Sequence, residues 1–336
     1  MKALEEAELC FPHINTSCKK MTRSHVEAML IYSLLACITL LTVVLNLLVI
    51  ISIYRFRQLH TTTNLLILSL AVTDFLVGFL QMPVEILLFR GCWILGDFIC
   101  AVNYFLGSLV VNVSVGNMML ISVDRYVAIC DPMFYSTKVT LKRVKVWICL
   151  CWMFSAFHSS WLLRDFLKQP GRYNSCYGEC VVVINYVDGV FDLVVAFSGP
   201  IIVIVVLYIR VFVVAVSQAR AMYSQNAPVT FQCSKTVPAK KSELKAARNL
   251  GVVVLVFLLC SCPYYCFTVA AENNLVGASS AISEIWLLYL NSCLNPVIYA
   301  FVYPWFRKSI KHIFSLQTLK PGSHEANILQ RMTVLE

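Results

Sequence analysis

Hydrophobic residues in this chain gather into long runs separated by short polar connections. Seven such runs, at about 27–54, 63–88, 97–129, 143–163, 184–217, 244–270 and 280–303, each reach the roughly 20 residues that a helix needs to cross a bilayer. Lipid offers no hydrogen bonds to the backbone, so each crossing must satisfy its own polar groups as a helix. The pattern therefore predicts an all-α fold. It comprises a polar tail (1–26), a seven-transmembrane helix bundle (27–303), and a short amphipathic eighth helix with its tail (304–336). In that last region Trp305, Phe306, Ile310, Ile313 and Phe314 interleave with Arg307, Lys308, Lys311 and His312, a pattern suited to a membrane surface.

Composition agrees with a membrane chain. The sequence is 59% hydrophobic and 13% charged, against roughly 25% charged in soluble domains. The net charge of +9 comes from basic residues that flank the spans rather than from a nucleic-acid-binding motif. Arg55 and Arg57, Lys138 to Lys145, Lys235 to Arg248, and Arg307 to Lys311 mark their connections as cytoplasmic, which places the N-terminus outside. Lys19, Lys20 and Arg23 lean the other way and are outnumbered. The opening MKALEEAELC has no apolar core, so the first span is expected to serve as the targeting signal. Asn15-Thr16-Ser17 is a glycosylation sequon in the outer tail, whereas Asn112-Val113-Ser114 lies within a span and is expected to stay unmodified. Of 15 cysteines, Cys10, Cys18, Cys92, Cys100, Cys176 and Cys180 fall on the oxidising side, where disulfides form.

Polar residues inside the spans carry the candidate chemistry. Asp192 lies eight residues before Pro200, roughly 10 Å along a helix that starts near Asn185. A carboxylate at membrane depth costs about 2.5–3.5 kcal/mol on insertion scales, and such groups mark function. Asp188 stands one turn earlier on the same face, at i,i+4. Asn46 and Asp74 are expected to face the bundle interior, Asp74 as an ion or hydrogen-bond hub. Pro200, Pro263 and Pro296 free carbonyls and kink their helices. There is no metal-ligand cluster, no serine paired with a base, no duplicated half and no lysine between Ala281 and Val302. These features argue against an enzyme, a cofactor, a transporter and a retinal-linked light sensor.

Asn46, Asp74, Asp124-Arg125-Tyr126, Trp152, Pro200, Pro263 and Asn295-Pro296-x-x-Tyr299 occur one per span and in order. That set resembles the class A, rhodopsin-like G-protein-coupled receptors. The run Asn291 to Phe306, the tail Cys10…Asn15-Thr16-Ser17-Cys18 and the loop Cys176-Tyr177-Gly178-Glu179-Cys180 are similar to the trace amine-associated receptors. The resemblance implies disulfides between Cys100 and Cys180 and between Cys18 and Cys176; Cys10 and Cys92 are free or paired. Two positions depart from the aminergic pattern. Gly107 stands where the ammonium-binding aspartate of helix three is expected, and Ser261 replaces the helix-six tryptophan. Some fish-type trace amine-associated receptors keep only the helix-five carboxylate, and this sequence is similar to them.

The resemblance implies a plasma-membrane receptor that binds a small cationic amine through Asp192. Asp188 is a candidate second contact for a diamine or polyamine, and Glu272 for a distal ammonium. Tyr264, Tyr265, Trp286 and Tyr289 are expected to supply aromatic walls, which attract cations. Asp124 and Glu243 are expected to hold Arg125 until helix six moves, with Tyr208, Asn295, Pro296 and Tyr299 supporting the active form. Olfactory relatives imply a stimulatory G protein and cyclic AMP. The alternative is a receptor for a non-amine ligand in which Asp192 is structural, paired with a base such as Lys168 or Arg172.

Overall fold

The computed structural model describes residues 9–19, 25–88, 91–224, 241–272 and 281–315. Its helices are α1 (His25–Arg55), α2 (Thr62–Leu76), α3 (Met82–Leu88), α4 (Gly96–Cys130), α5 (Pro132–Lys138), α6 (Leu141–Leu162), α7 (Arg164–Lys168), α8 (Tyr186–Asp192), α9 (Gly199–Ser224), α10 (Lys241–Glu272), α11 (Ala281–Val302) and α12 (Pro304–Phe314). One π turn, Val77–Gln81, fuses α2 to α3, and another, Leu193–Ser198, fuses α8 to α9. Seven crossings result: α1, α2–α3, α4, α6, α8–α9, α10 and α11, with α12 as the short amphipathic helix. Five are long and apolar enough to span a membrane on length and composition alone. The crossing α6 is diluted by its basic first turns and by Ser155, His158, Ser159 and Ser160, and in α10 the apolar stretch is Gly251–Cys266.

Local chemistry starts and bends these helices. Thr61, Thr140 and Asn185 accept the backbone N–H groups of Asn64, Arg143 and Asp188, so each caps the helix that follows it. Pro200 has no N–H and its ring crowds the carbonyl four residues earlier. The ladder widens into the π turn just before it, an insertion that an unbroken apolar run does not reveal.

Removal from water contributes little where helices meet inside lipid, so close packing and internal hydrogen bonds hold the bundle. Val49, Phe56, Leu66, Ile67, Met118, Phe257, Tyr299 and Phe306 form the main buried cluster. Asn46 Nδ2 donates to the Ser292 carbonyl at 2.9 Å, joining α1 to α11. Asn295 Nδ2 donates to Asp74 Oδ2 at 2.8 Å, joining α11 to α2, and Trp152 Nε1 donates to Ser69 Oγ at 3.2 Å, joining α6 to α2. Such bonds contribute about 0.6–2 kcal/mol each within a membrane.

One end of the bundle is stapled by disulfides. Cys10 joins Cys92, Cys18 joins Cys176, and Cys100 joins Cys180. The tail also pairs with the loop before α8: Tyr177 N–H donates to the Thr16 carbonyl at 2.8 Å and Cys18 N–H to the Tyr177 carbonyl at 3.0 Å. Asn15 is exposed in the turn between Cys10 and Cys18. Peptide mapping of the unreduced protein is expected to recover Cys10 linked to Cys92 beside the other two pairs. Recovery of Cys10 and Cys92 as alkylated free thiols would contradict this arrangement.

Candidate ligand-binding site

A cavity of about 170 Å³ opens among α3, α4, α8, α10 and α11 at the disulfide-stapled end. The segment after Cys180 crosses its mouth through Val182 and Ile184. The Cys100–Cys180 bond pins that segment to α4, and Tyr104 Oη donates to the Cys180 carbonyl at 3.3 Å.

Asp192 lines this cavity from the last turn of α8. Its nearest basic group among the described residues is His158 of α6, whose Nε2 lies 3.7 Å from Asp192 Oδ1. No lysine or arginine among the described residues reaches ion-pair distance of Asp192, so neither Lys168 nor Arg172 takes the role that sequence left open for them. Asn112 Nδ2 lies 3.2 Å from His158 Nδ1 and 3.2 Å from Ser159 Oγ. With Asn112 donating to Nδ1, the imidazole proton sits on Nε2 and points at Asp192, beyond direct hydrogen-bond reach. This network also occupies the second sequon: Asn112 lies inside the bundle.

Asp188 is placed differently from expectation. It and Asp192 do share a stripe, but that stripe runs along α6 and its continuation, and only its inner end reaches the cavity. Arg164 Nη2 lies 2.8 Å from Asp188 Oδ2, and Asn185 Nδ2 donates to the same oxygen at 2.6 Å. Arg164 is itself held over the Trp161 ring, 4.7 Å from its centroid. Asp188 thus already has a cation, and it does not line the cavity.

Tyr264, Tyr265 and Tyr289 all contribute to the wall, Tyr265 stacking on Phe197 at 3.8 Å between centroids. Trp286 does not; it packs edge-on behind Tyr289, 6.3 Å away, among apolar side chains. Gly107 forms part of the floor, and a Cβ built there would lie 3.1 Å from Gln81 Oε1 and 4.0 Å from Tyr289 Oη. Gln81 and Tyr289 therefore fill the space an aspartate would use. Ser261 is buried below, beside a void of about 20 Å³ that also touches Phe257 and Tyr265. Glu243 and Glu272 lie on α10, but their side chains fall outside the described residues.

At the far end of the bundle Asp124 and Arg125 are both 3% exposed. Arg125 Nη2 lies 2.6 Å from Asp124 Oδ2. The carboxylate also accepts from Thr63 Oγ1 at 2.9 Å and from Tyr135 Oη at 3.0 Å. Burial, with the Asp124 charge second, pushes the Tyr135 phenol above its ordinary value, so it stays a proton donor to that carboxylate. Tyr126 packs beside Ile129 and Val211. The hydroxyls of Tyr208 and Tyr299 are buried without a hydrogen-bond partner among the described residues. Asp74 is fully buried, bonded to Asn295 through one oxygen while the other has no partner among the described residues. Pro296 lies inside α11 one residue beyond Asn295.

Comparison with known proteins agrees with this architecture. Residues 45–299 match the 7 transmembrane receptor (rhodopsin family) model. The chain is 34% identical over 332 residues to trace amine-associated receptor 13c of Danio rerio, covering 96% of this chain and 97% of that one. It is 37% identical over 330 residues to trace amine-associated receptor 9 of Rattus norvegicus, covering 96% and 97%. The chain belongs to the trace amine-associated receptors. It is accordingly a G-protein-coupled receptor and not an enzyme: a multi-pass plasma-membrane protein with a small-molecule ligand and a G-protein partner.

In this trace amine-associated receptor Glu85, Gln81 and His158, all at or beside the cavity, and Arg164, the partner of Asp188, belong to none of the motifs that single out the other site residues. What marks them in the sequence is weaker: each is a polar or charged side chain in or next to an apolar span.

Proposed function

We propose that this receptor recognises small cationic amines through Asp192 and, when occupied, shifts toward a state that engages a stimulatory G protein and raises cyclic AMP. Its tail faces outward, and its natural stimuli are odorant amines. The observation that carries this reading is the Asp192 carboxylate on the cavity wall without a lysine or arginine partner among the described residues. An ammonium there gains Coulomb attraction and charge-assisted hydrogen bonds that offset desolvation of both ions. The tyrosine faces around it suit a cation with an alkyl or aryl body. Opening is transmitted to the far end, where release of Arg125 from Asp124 as α10 moves exposes it to the G protein.

The His158 imidazole, 3.7 Å from Asp192, favours one rival. In it, a protonated His158 neutralises the carboxylate and the ligand is not an amine. A panel of mono-, di- and polyamines applied to cells expressing the full chain, read as cyclic AMP, separates the two. A response to amines but not to their isosteric alcohols supports the proposal; a response to neither contradicts it.

Gly107→Asp offers a further expected result. The new carboxylate must displace Gln81, so Gly107→Asp combined with Gln81→Ala is expected to respond to monoamines at lower concentration than Gly107→Asp alone. Equal potency of the single and double variants would show that Gln81 does not occupy the vacated site.

A further inference from the structure

The cavity holds a second carboxylate. Glu85, on α3, lines it together with Asp192, and has no hydrogen-bond or ion-pair partner among the described residues. The two acids enter from different sides: α4 packs against both α2 and α9, while α2–α3 and α8–α9 make no substantial contact with each other. Tyr264 lies within electrostatic reach of both, and Tyr104 and Tyr289 within reach of Glu85. Gly107 puts no side chain of α4 into the cavity between them; what borders it there is the Gln81 amide and the Tyr289 hydroxyl, both uncharged.

We infer that Glu85 and Asp192 form a two-anion site for a dication, an α,ω-diamine whose ammonium groups each meet one carboxylate and whose methylenes lie against the tyrosines. The inference rests on the amine reading of Asp192 and assigns the second subsite to Glu85, since Asp188 is committed to Arg164. One dication neutralises both acids, whereas a monoamine leaves one of them desolvated with no counter-ion from the ligand. Chain length then sets selectivity, because a diamine too short to span the cavity can satisfy only one acid.

The test is a thermal-stabilisation titration of the purified full-length receptor, which needs no assumption about coupling. The probes are straight-chain α,ω-diamines of increasing length and the n-alkylamines matched to them. At the best length, the diamine is expected to bind roughly 10- to 100-fold tighter than its monoamine, the value of one additional charge-assisted hydrogen bond. Glu85→Gln is expected to bring that ratio close to one. Glu85→Asp, one methylene shorter, is expected to keep a ratio above one and move the optimum to a longer diamine. A ratio that survives Glu85→Gln, with amine binding still lost in Asp192→Asn, overturns the second subsite and leaves the amine reading standing. Amine binding that persists in Asp192→Asn overturns the amine reading itself. If Glu85→Gln does not reach the membrane, Glu85→Asp decides alone: an unmoved length optimum refutes the inference.

Discussion

Asp192→Asn is expected to move the amine concentration–response curve by at least roughly 30-fold, and to abolish the response for weak agonists, while surface expression persists. Truncating one partner of a buried, hydrogen-bonded charge pair costs about 2–5 kcal/mol. Asparagine keeps the shape of the side chain and removes only the charge, so packing on α8 and the neighbouring π turn should be preserved. The free receptor should lose nothing, and a carboxylate that lipid penalises disappears. The check is a cyclic AMP curve for a primary amine alongside flow cytometry of an N-terminal epitope. An unshifted curve at equal surface density would rule Asp192 out as the anchor and favour its pairing with His158.

Asp124→Asn at the opposite end is expected to be costly in the resting protein. Arg125 is 3% exposed, and Asp124 is its carboxylate partner at 2.6 Å. The change takes from Arg125 the carboxylate beside it inside the bundle, and breaking a buried ion pair costs up to about 3–5 kcal/mol. Thr63 donates to one oxygen of Asp124 and Tyr135 to the other, so an asparagine, which keeps a single oxygen, can accept from only one of them. The purified variant should melt well below the wild type, and cells should show raised basal cyclic AMP as Arg125 leaves its resting position. A melting temperature and basal signal both equal to wild type would mean that the pair does not hold the inactive form.

The spans were readable from sequence because lipid imposes a length and a composition that few soluble segments share. Asp192 was readable for the complementary reason: an acid in such a run needs a compensating role. Partnership was not readable. Asp188 and Asp192 share a helix face in the sequence, with Asp188 nearer water, and only the approach of α6 shows that Arg164 meets one while His158 stands beside the other. Glu85, near the end of its span, is not marked by any sequence motif, and only the packing of α4 and α11 around the cavity shows that it lines the same space as Asp192. The link between Cys10 and Cys92 was likewise open, since six cysteines allow 15 pairings and no local spacing selects among them. The π turn before Pro200 left no periodicity to detect in a stretch that is apolar on every face.

Gly107 and Gln81 show what stands in this cavity where aminergic receptors are expected to carry the helix-three aspartate. The glycine removes the carboxylate from α4, and the glutamine amide and Tyr289 hydroxyl fill the vacated space. Under the proposed amine reading, charge recognition falls to Asp192 on α8, beside α6.

The most direct measurement is amine binding to the purified receptor, with no signalling partner in the assay. A ligand that binds only the folded state raises its stability by RT ln(1 + [L]/Kd), so the melting temperature should climb with amine concentration. Wild-type receptor is expected to show that rise with a primary amine and not with the isosteric alcohol, and Asp192→Asn to show neither. Equal stabilisation of wild type and Asp192→Asn by the amine would contradict the central claim.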